Sequence, residues 1–237
     1  VLLAEGVHAV ITDRRGGVSP APFGGRNLGG AVGDDPGNVA ANRRMTALEV
    51  GVDPSRVVLM RQVHGREVAY VDRPFGDDPP GLDAIFTAEE GLALVSLAAD
   101  CAQVLVADPV ARLVGAAHSG RPGTLAGVVP ALVEAMAGRG GDPGRMVALV
   151  GPAACGRCYE VPAEMREEVA AVVPEAWATT SHGTPSVDLR AAISAQLSRA
   201  GVGDVRHDAR CTIESGDLYS YRREGQTGRF GAYIWLG

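Results

Sequence analysis

Apolar residues come along this chain in short runs broken by glycine and proline. Residues 92–97, 103–108 and 113–117 are three such runs, each with β-branched positions, and they predict three strands in close succession. Residues 146–150 read as a further buried strand. Residues 57–60 and 67–71 read as short strands on either side of a corner at 61–65. Residues 230–235, apolar on both faces, read as a closing strand. Helical spacing is clearest over 188–200, where Leu189, Ile193 and Leu197 recur on one face, Asp188 can cap and Gly201 can terminate. Helices are also expected over 39–50, capped by Asn38 and stopped by Gly51, and over 124–137, capped by Thr124 and ended near Gly138. A fourth is expected over 162–173, with Pro162 in the first turn. Residues 16–35 form a long glycine-rich loop with Pro20 and Pro22, and loops of that length inside compact domains usually serve function. Residues 77–82 read as a turn. Strands and helices alternate only in part, so an α+β sheet-and-helix sandwich fits better than a regular doubly wound sheet.

Composition narrows the function classes. The 237 residues are 46% hydrophobic and 21% charged, which excludes disorder and collagen. All 22 basic residues are arginine, against 28 acidic ones, for a net charge of −6. Without lysine there is no Schiff base, no lysine general base and no phosphate-binding lysine of a P-loop. The acidic balance speaks against a nucleic-acid partner, which asks for a clustered basic face. Val1 to Val10 holds no basic stretch ahead of an apolar one, and no apolar run approaches the roughly 18 residues of a membrane span. The four cysteines are too few for a disulfide scaffold, so the expectation is a cytoplasmic protein with no membrane partner.

Candidate chemistry sits at predicted strand ends. His64 lies in Gln62-Val63-His64-Gly65, Cys101 in Ala99-Asp100-Cys101, and His118 in Ala116-Ala117-His118-Ser119-Gly120. Two imidazoles and a thiolate suit tetrahedral zinc with a fourth position free for water or substrate. Spacing alone leaves three readings open: a zinc site, a copper site, or a Cys–His nucleophile pair. Cys155-Gly156-Arg157-Cys158 is a CxxC, but it lacks the second pair of a zinc knuckle and the βαβ setting of a thioredoxin-like site. It is therefore set aside as a functional motif. Any phosphate must be held by arginine or backbone N–H groups, with Arg14, Arg43, Arg61 and Arg229 as candidates. Asp83, in Leu82-Asp83-Ala84, is expected to cap or orient a neighbour, and Asp100 is a general-acid candidate by sequence proximity alone.

Taken in order, the motifs resemble a known family. Arg61-Gln62-Val63-His64-Gly65, Ala99-Asp100-Cys101, Gly115-Ala116-Ala117-His118-Ser119-Gly120, Gly151-Pro152, Cys158-Tyr159-Glu160-Val161 and Thr227-Gly228-Arg229 are similar to those of the YfiH-like laccase-domain family. Arg14-x-Gly16-Gly17-Val18-Ser19, Asn27-Leu28 and Asn42-Arg43 extend the likeness over nearly the whole chain. The resemblance implies a four-layer α/β/β/α sandwich in one domain over 1–237, with zinc held by His64, Cys101 and His118. It implies phosphorolysis of adenosine, inosine and methylthioadenosine, and deamination of adenosine. Asn27, Arg43, Gln62 and Arg229 are then the candidate substrate contacts. The partners expected are a small nucleoside and phosphate, and the chain is expected to be a monomer. Two alternatives remain: a copper-dependent polyphenol oxidase, which five histidines scarcely furnish with ligands for several coppers, and a cysteine hydrolase that edits peptidoglycan precursors. The sequence departs from the family pattern at one turn. Where the family reads His-Ala-Gly-Trp-Arg-Gly, this chain has His118-Ser119-Gly120-Arg121-Pro122-Gly123, without the tryptophan and with arginine displaced by one position. The proline that usually follows the Ala-Asp-Cys motif is replaced by Ala102.

Overall fold

The computed structural model describes residues 2–76 and 78–237, so the first residue of the expected 77–82 turn lies outside the described residues. Two sheets stack face to face. The first has the order β1 (Leu2–Ala4), β2 (Val7–Ile11), β13 (Phe230–Leu236), β6 (Ala93–Ala98), β3 (Val57–Leu59). The second has the order β12 (Asp204–His207), β9 (Val147–Val150), β7 (Ala102–Asp108), β8 (Leu113–Ser119), β5 (Ala84–Thr87), β4 (Val68–Tyr70). Most neighbours run antiparallel, but β3–β6, β4–β5 and β9–β12 are parallel, as a mixed α+β sandwich allows.

Period-two alternation decides the layers. Leu105 and Ala107 of β7, Val114 and Ala116 of β8, Ile85 of β5, and Ala232, Ile234 and Leu236 of β13 fill the space between the sheets. The opposite faces of β5, β7 and β8, through Val104, Val106, Leu113 and Phe86, meet α3 (Val128–Ala137), α4 (Ala163–Val172) and α5 (Leu189–Arg199). On the far side, Ala93, Val95, Tyr233 and Trp235 are covered by Leu28 of the long loop and by Val50 and Val52 at the end of α1 (Pro36–Val50). The result is the expected α/β/β/α order. A strand inside such a stack is buried on both faces, which explains why β6, β7, β8 and β13 read as continuous apolar runs.

Several expectations change in detail. The helix expected over 124–137 is two helices. α2 (Arg121–Ala126) starts after Gly120, and α3 follows a break at Gly127, whose φ of 79° ends the first helix in the left-handed region. Thr124 does not cap; its hydroxyl pairs with that of Ser119 at 2.8 Å. α1 begins three residues before the expected start at Val39, and its cap is Asp35 rather than Asn38: Asp35 accepts from the N–H groups of Gly37 and Asn38, ahead of Pro36. β1, β2, β5 and β12 had no clear signal, nor did the ribbon β10 (Trp177–Thr179) and β11 (Pro185–Val187) or the single turn α6 (Tyr221–Glu224). Among the described residues, no helix is long and apolar enough to cross a membrane.

Candidate metal centre

The β7–β8 pairing brings two of the predicted residues together. Ala102 stands opposite Ser119 and Gln103 opposite His118, so Cys101, just before β7, meets Gly120, just after β8. A Cβ on Gly120 would lie 2.6 Å from Cys101 Sγ and 3.0 Å from His64 Cδ2. Glycine is therefore what lets the three ligand-bearing segments close up. His64 arrives from the β3–β4 connection. Its Nε2 lies 3.8 Å from Cys101 Sγ, its ring stands edge-on to His118 with centroids 4.7 Å apart, and the three donor atoms lie within 4.8 Å of one another.

Asp83, fully buried just before β5, holds both histidines. Oδ1 accepts the His64 backbone N–H at 3.0 Å and pairs with His118 Nδ1 at 2.9 Å. Oδ2 accepts the N–H groups of Val63 at 3.1 Å and Gly65 at 2.7 Å. Burial would raise the Asp83 pKa, but the His118 hydrogen bond and these backbone donors prevail and lower it. The carboxylate wraps the chain at His64 into a left-handed conformation, φ 60°, which a non-glycine residue rarely adopts. Asp100 is strained likewise, at φ 92°. It is clasped at its carbonyl by the Ala154 N–H (3.0 Å), at Oδ1 by the Thr212 hydroxyl (2.6 Å) and at Oδ2 by the Arg222 N–H (2.7 Å). Backbone strain at two residues of one site, each held by several hydrogen bonds, is the pattern of a functional centre.

Electrostatics suit a metal. Burial opposes ionisation of Cys101, yet the facing imidazoles of His118 and His64 bring its thiol down to about 6. Burial also opposes charge on His118, yet Asp83 and Cys101 raise it to about 9. A thiolate and two imidazoles form a donor set that zinc accepts. Asp83 on His118 Nδ1 leaves Nε2 for the ion, the usual outer partner of a metal-bound histidine. The residues present therefore fit a zinc ion.

The other sequence candidates have different roles. Gln62 makes two 2.8 Å hydrogen bonds to the Leu97 backbone, continuing with its side chain the pairing that β3 leaves off. Asn27 is fully buried. It donates to Gly29 and Asp34 and accepts from the Gly29 and Arg229 N–H groups, tying the long loop to residues 227–229. Arg43 donates to the Leu28 carbonyl, and Arg229 donates to the carbonyls of Thr227 and Gly228. Both guanidiniums are half-buried, both have their pKa lowered by burial, and Arg229 lies close enough to Cys101 and Asp100 to feel their charge. Arg14 pairs with Glu224, and exposed Arg61 donates to the Pro79 carbonyl. The displaced Arg121 sits at the start of α2, with Glu168 of α4 4.0 Å away. The CxxC, set aside from its sequence context, is joined in space by Cys211 and Glu214. No local spacing could have signalled that partner.

Residues 8–237 match the family model described as multi-copper polyphenol oxidoreductase laccase. The chain belongs to this laccase-domain family. Among its laccase-domain relatives, a purine nucleoside phosphorylase of Streptomyces coelicolor is 60% identical over 233 residues, 98% of this chain and 96% of that protein. A purine nucleoside phosphorylase of Mycobacterium tuberculosis is 46% identical over 230 residues, 97% and 92% of the two chains. Of solved laccase-domain structures, YlmD from Geobacillus stearothermophilus superposes with a TM-score of 0.91 at 33% identity, covering 98% of this chain and 92% of that one. YfiH from Bacillus licheniformis gives 0.90 at 29% identity, covering 98% and 93%.

Proposed function

We propose that this laccase-domain protein is a zinc-dependent purine nucleoside phosphorylase acting on adenosine, inosine and methylthioadenosine, with adenosine deamination as a second reaction. The observation that carries the reading is the convergence of His64, Cys101 and His118, with half-buried Arg229 close to Cys101, in a chain whose relatives bear the phosphorylase name. Zinc held by those three residues would supply Lewis-acid polarisation of a substrate oxygen.

The chain's own residues account for the rest. Arg43 and Arg229 adjoin Gly30 and Gly29, and neither makes a salt bridge among the described residues. A half-buried cation without a carboxylate favours an anion, and two forked guanidiniums suit a phosphate directed at the ribose anomeric carbon. Tyr221, exposed and near enough to Arg229 for the two groups to interact electrostatically, offers a face for a purine in place of the missing tryptophan. Gln62 and Asn27 keep His64 and Arg229 in place through the backbone. We take residues 1–237 as one catalytic unit working as a cytoplasmic monomer on small molecules, without nucleic acid or membrane.

The test incubates wild type and His118→Ala with each nucleoside, with and without phosphate. Adenine with ribose-1-phosphate marks phosphorolysis, and inosine from adenosine marks deamination. An unchanged product yield in His118→Ala would show the site to be misassigned. A second reading, a cysteine hydrolase of peptidoglycan precursors, draws on the closeness of Cys101 Sγ to His64 Nε2. Full activity after rigorous chelation would favour it, and several copper atoms per purified chain would favour the polyphenol oxidase.

A further inference from the structure

Every cysteine in this chain belongs to one of two donor clusters. Cys101 stands with the histidines, while Cys155, Cys158 and Cys211 meet Glu214 with all four donor atoms within 4.8 Å of one another. We propose that Cys155, Cys158, Cys211 and Glu214 hold a second, structural zinc ion, separate from the His64–Cys101–His118 centre.

The donor set is the first argument. Three thiolates and a carboxylate make four ligands, enough to close a tetrahedral site, and thiolate sulfur selects zinc over the hard cations. The local backbone is the second. Cys155-Gly156-Arg157-Cys158 is a tight turn in which the N–H groups of Cys158 and Tyr159 both reach the Cys155 carbonyl at 2.9 Å. The Cys155 N–H donates to Cys211 Sγ at 3.4 Å. Backbone donors aimed at sulfur stabilise thiolates, as the outer partners of a metal site do. Charge is the third. Three thiolates and a carboxylate around a divalent ion leave net negative charge, and Arg157, 3.6 Å from Glu214, stands where it offsets part of it. A disulfide would use two of the sulfurs and leave the third, with Glu214, unaccounted for.

Such an ion would act on the first centre at a distance. It would join the segment around Cys155 to the one around Cys211, which already meet where the Thr212 N–H bonds the Ala153 carbonyl at 3.2 Å. Both segments also grip Asp100, through the Ala154 N–H and the Thr212 hydroxyl. Zinc at the cysteine cluster would thereby hold the strained turn that presents Cys101.

Zinc per chain, measured by plasma mass spectrometry on wild type, His118→Ala, Cys158→Ser and the double variant, tests this. Two zinc ions are expected in wild type, one in each single variant and none in the double. Because His118→Ala removes only the first centre, its remaining zinc reports the second whatever the nucleoside assays show. Exposed Glu214→Gln, chosen to spare the fold, should lose this zinc to a chelator faster than the parent in the His118→Ala background. Zinc content unchanged by Cys158→Ser, or two of the three thiols found joined as a disulfide in unreduced protein, would overturn the proposal.

Discussion

At the scale of single residues, Asp83 does more for the centre than any ligand. Its two oxygens take four N–H groups, turning the backbone at His64 and fixing the tautomer of His118 together. Asp83→Asn replaces an acceptor-only group with one that is half donor, so one of those N–H groups faces another N–H. Zinc affinity at this centre should fall about 10–100-fold, read by competition with a chromophoric chelator. The sequence marked Asp83 as an orienting residue and could not say what it orients. Those contacts cross from the β3–β4 connection to β5 and β8, and no local pattern encodes them. The left-handed backbone at His64 and Asp100 was equally hidden, because neither is glycine and the strain is sustained by distant partners.

At the scale of elements, two glycines with different tasks bracket α2. Gly120→Ala would place a Cβ against Cys101 Sγ and His64 Cδ2. The expected outcome is loss of zinc from this centre with native circular dichroism retained. At Gly127 a Cβ meets nothing within 4 Å, but φ is 79°. Gly127→Ala should therefore cost about 1–2 kcal/mol of stability, measured by urea unfolding, and leave zinc content unchanged. The sequence merged α2 and α3 because helical apolar spacing runs through both. The break is set by where the chain must turn to seat Leu132, Val133 and Met136 on the second sheet. α5 was legible almost to the residue because its cap is local: Asp188 accepts from the Ala191 N–H at 3.0 Å.

At the scale of the whole molecule, the apolar layer between the sheets is one of the buried cores that stabilise the fold, beside the one under α3, α4 and α5. Leu105→Ala, in the middle of β7 with 1% exposure, should cost about 2–5 kcal/mol by urea unfolding. Acid sensitivity has a definite source at the β7–β8 turn. Buried Asp108 accepts from the N–H groups of Val110, Ala111 and Asp142 and from Arg145, linking the hairpin to the approach to β9. Burial would raise its pKa, but these donors prevail and lower it below the ordinary 3.8. A depressed carboxylate stabilises the fold above its unfolded pKa, and that contribution is lost as pH falls through the folded value. Asp108→Asn should cost about 1–3 kcal/mol at neutral pH, with the difference from wild type shrinking below pH 4 in a pH series of melts.

The sequence by itself determined the buried strands, the best helix, the mixed sandwich and the residue types of the centre. Continuous apolar runs, local caps and ordered motifs are properties of neighbouring residues, and a chain displays them wherever it folds. Tertiary structure alone decided which side chains share a centre. His64, Cys101 and His118 meet because antiparallel β7 and β8 bring Cys101 level with Gly120 and Asp83 folds the His64 turn onto them. Cys211 joins the CxxC because one pair of loops clasps Asp100. Both convergences depend on strand register and on hydrogen bonds between segments far apart in the chain, which residue spacing does not record.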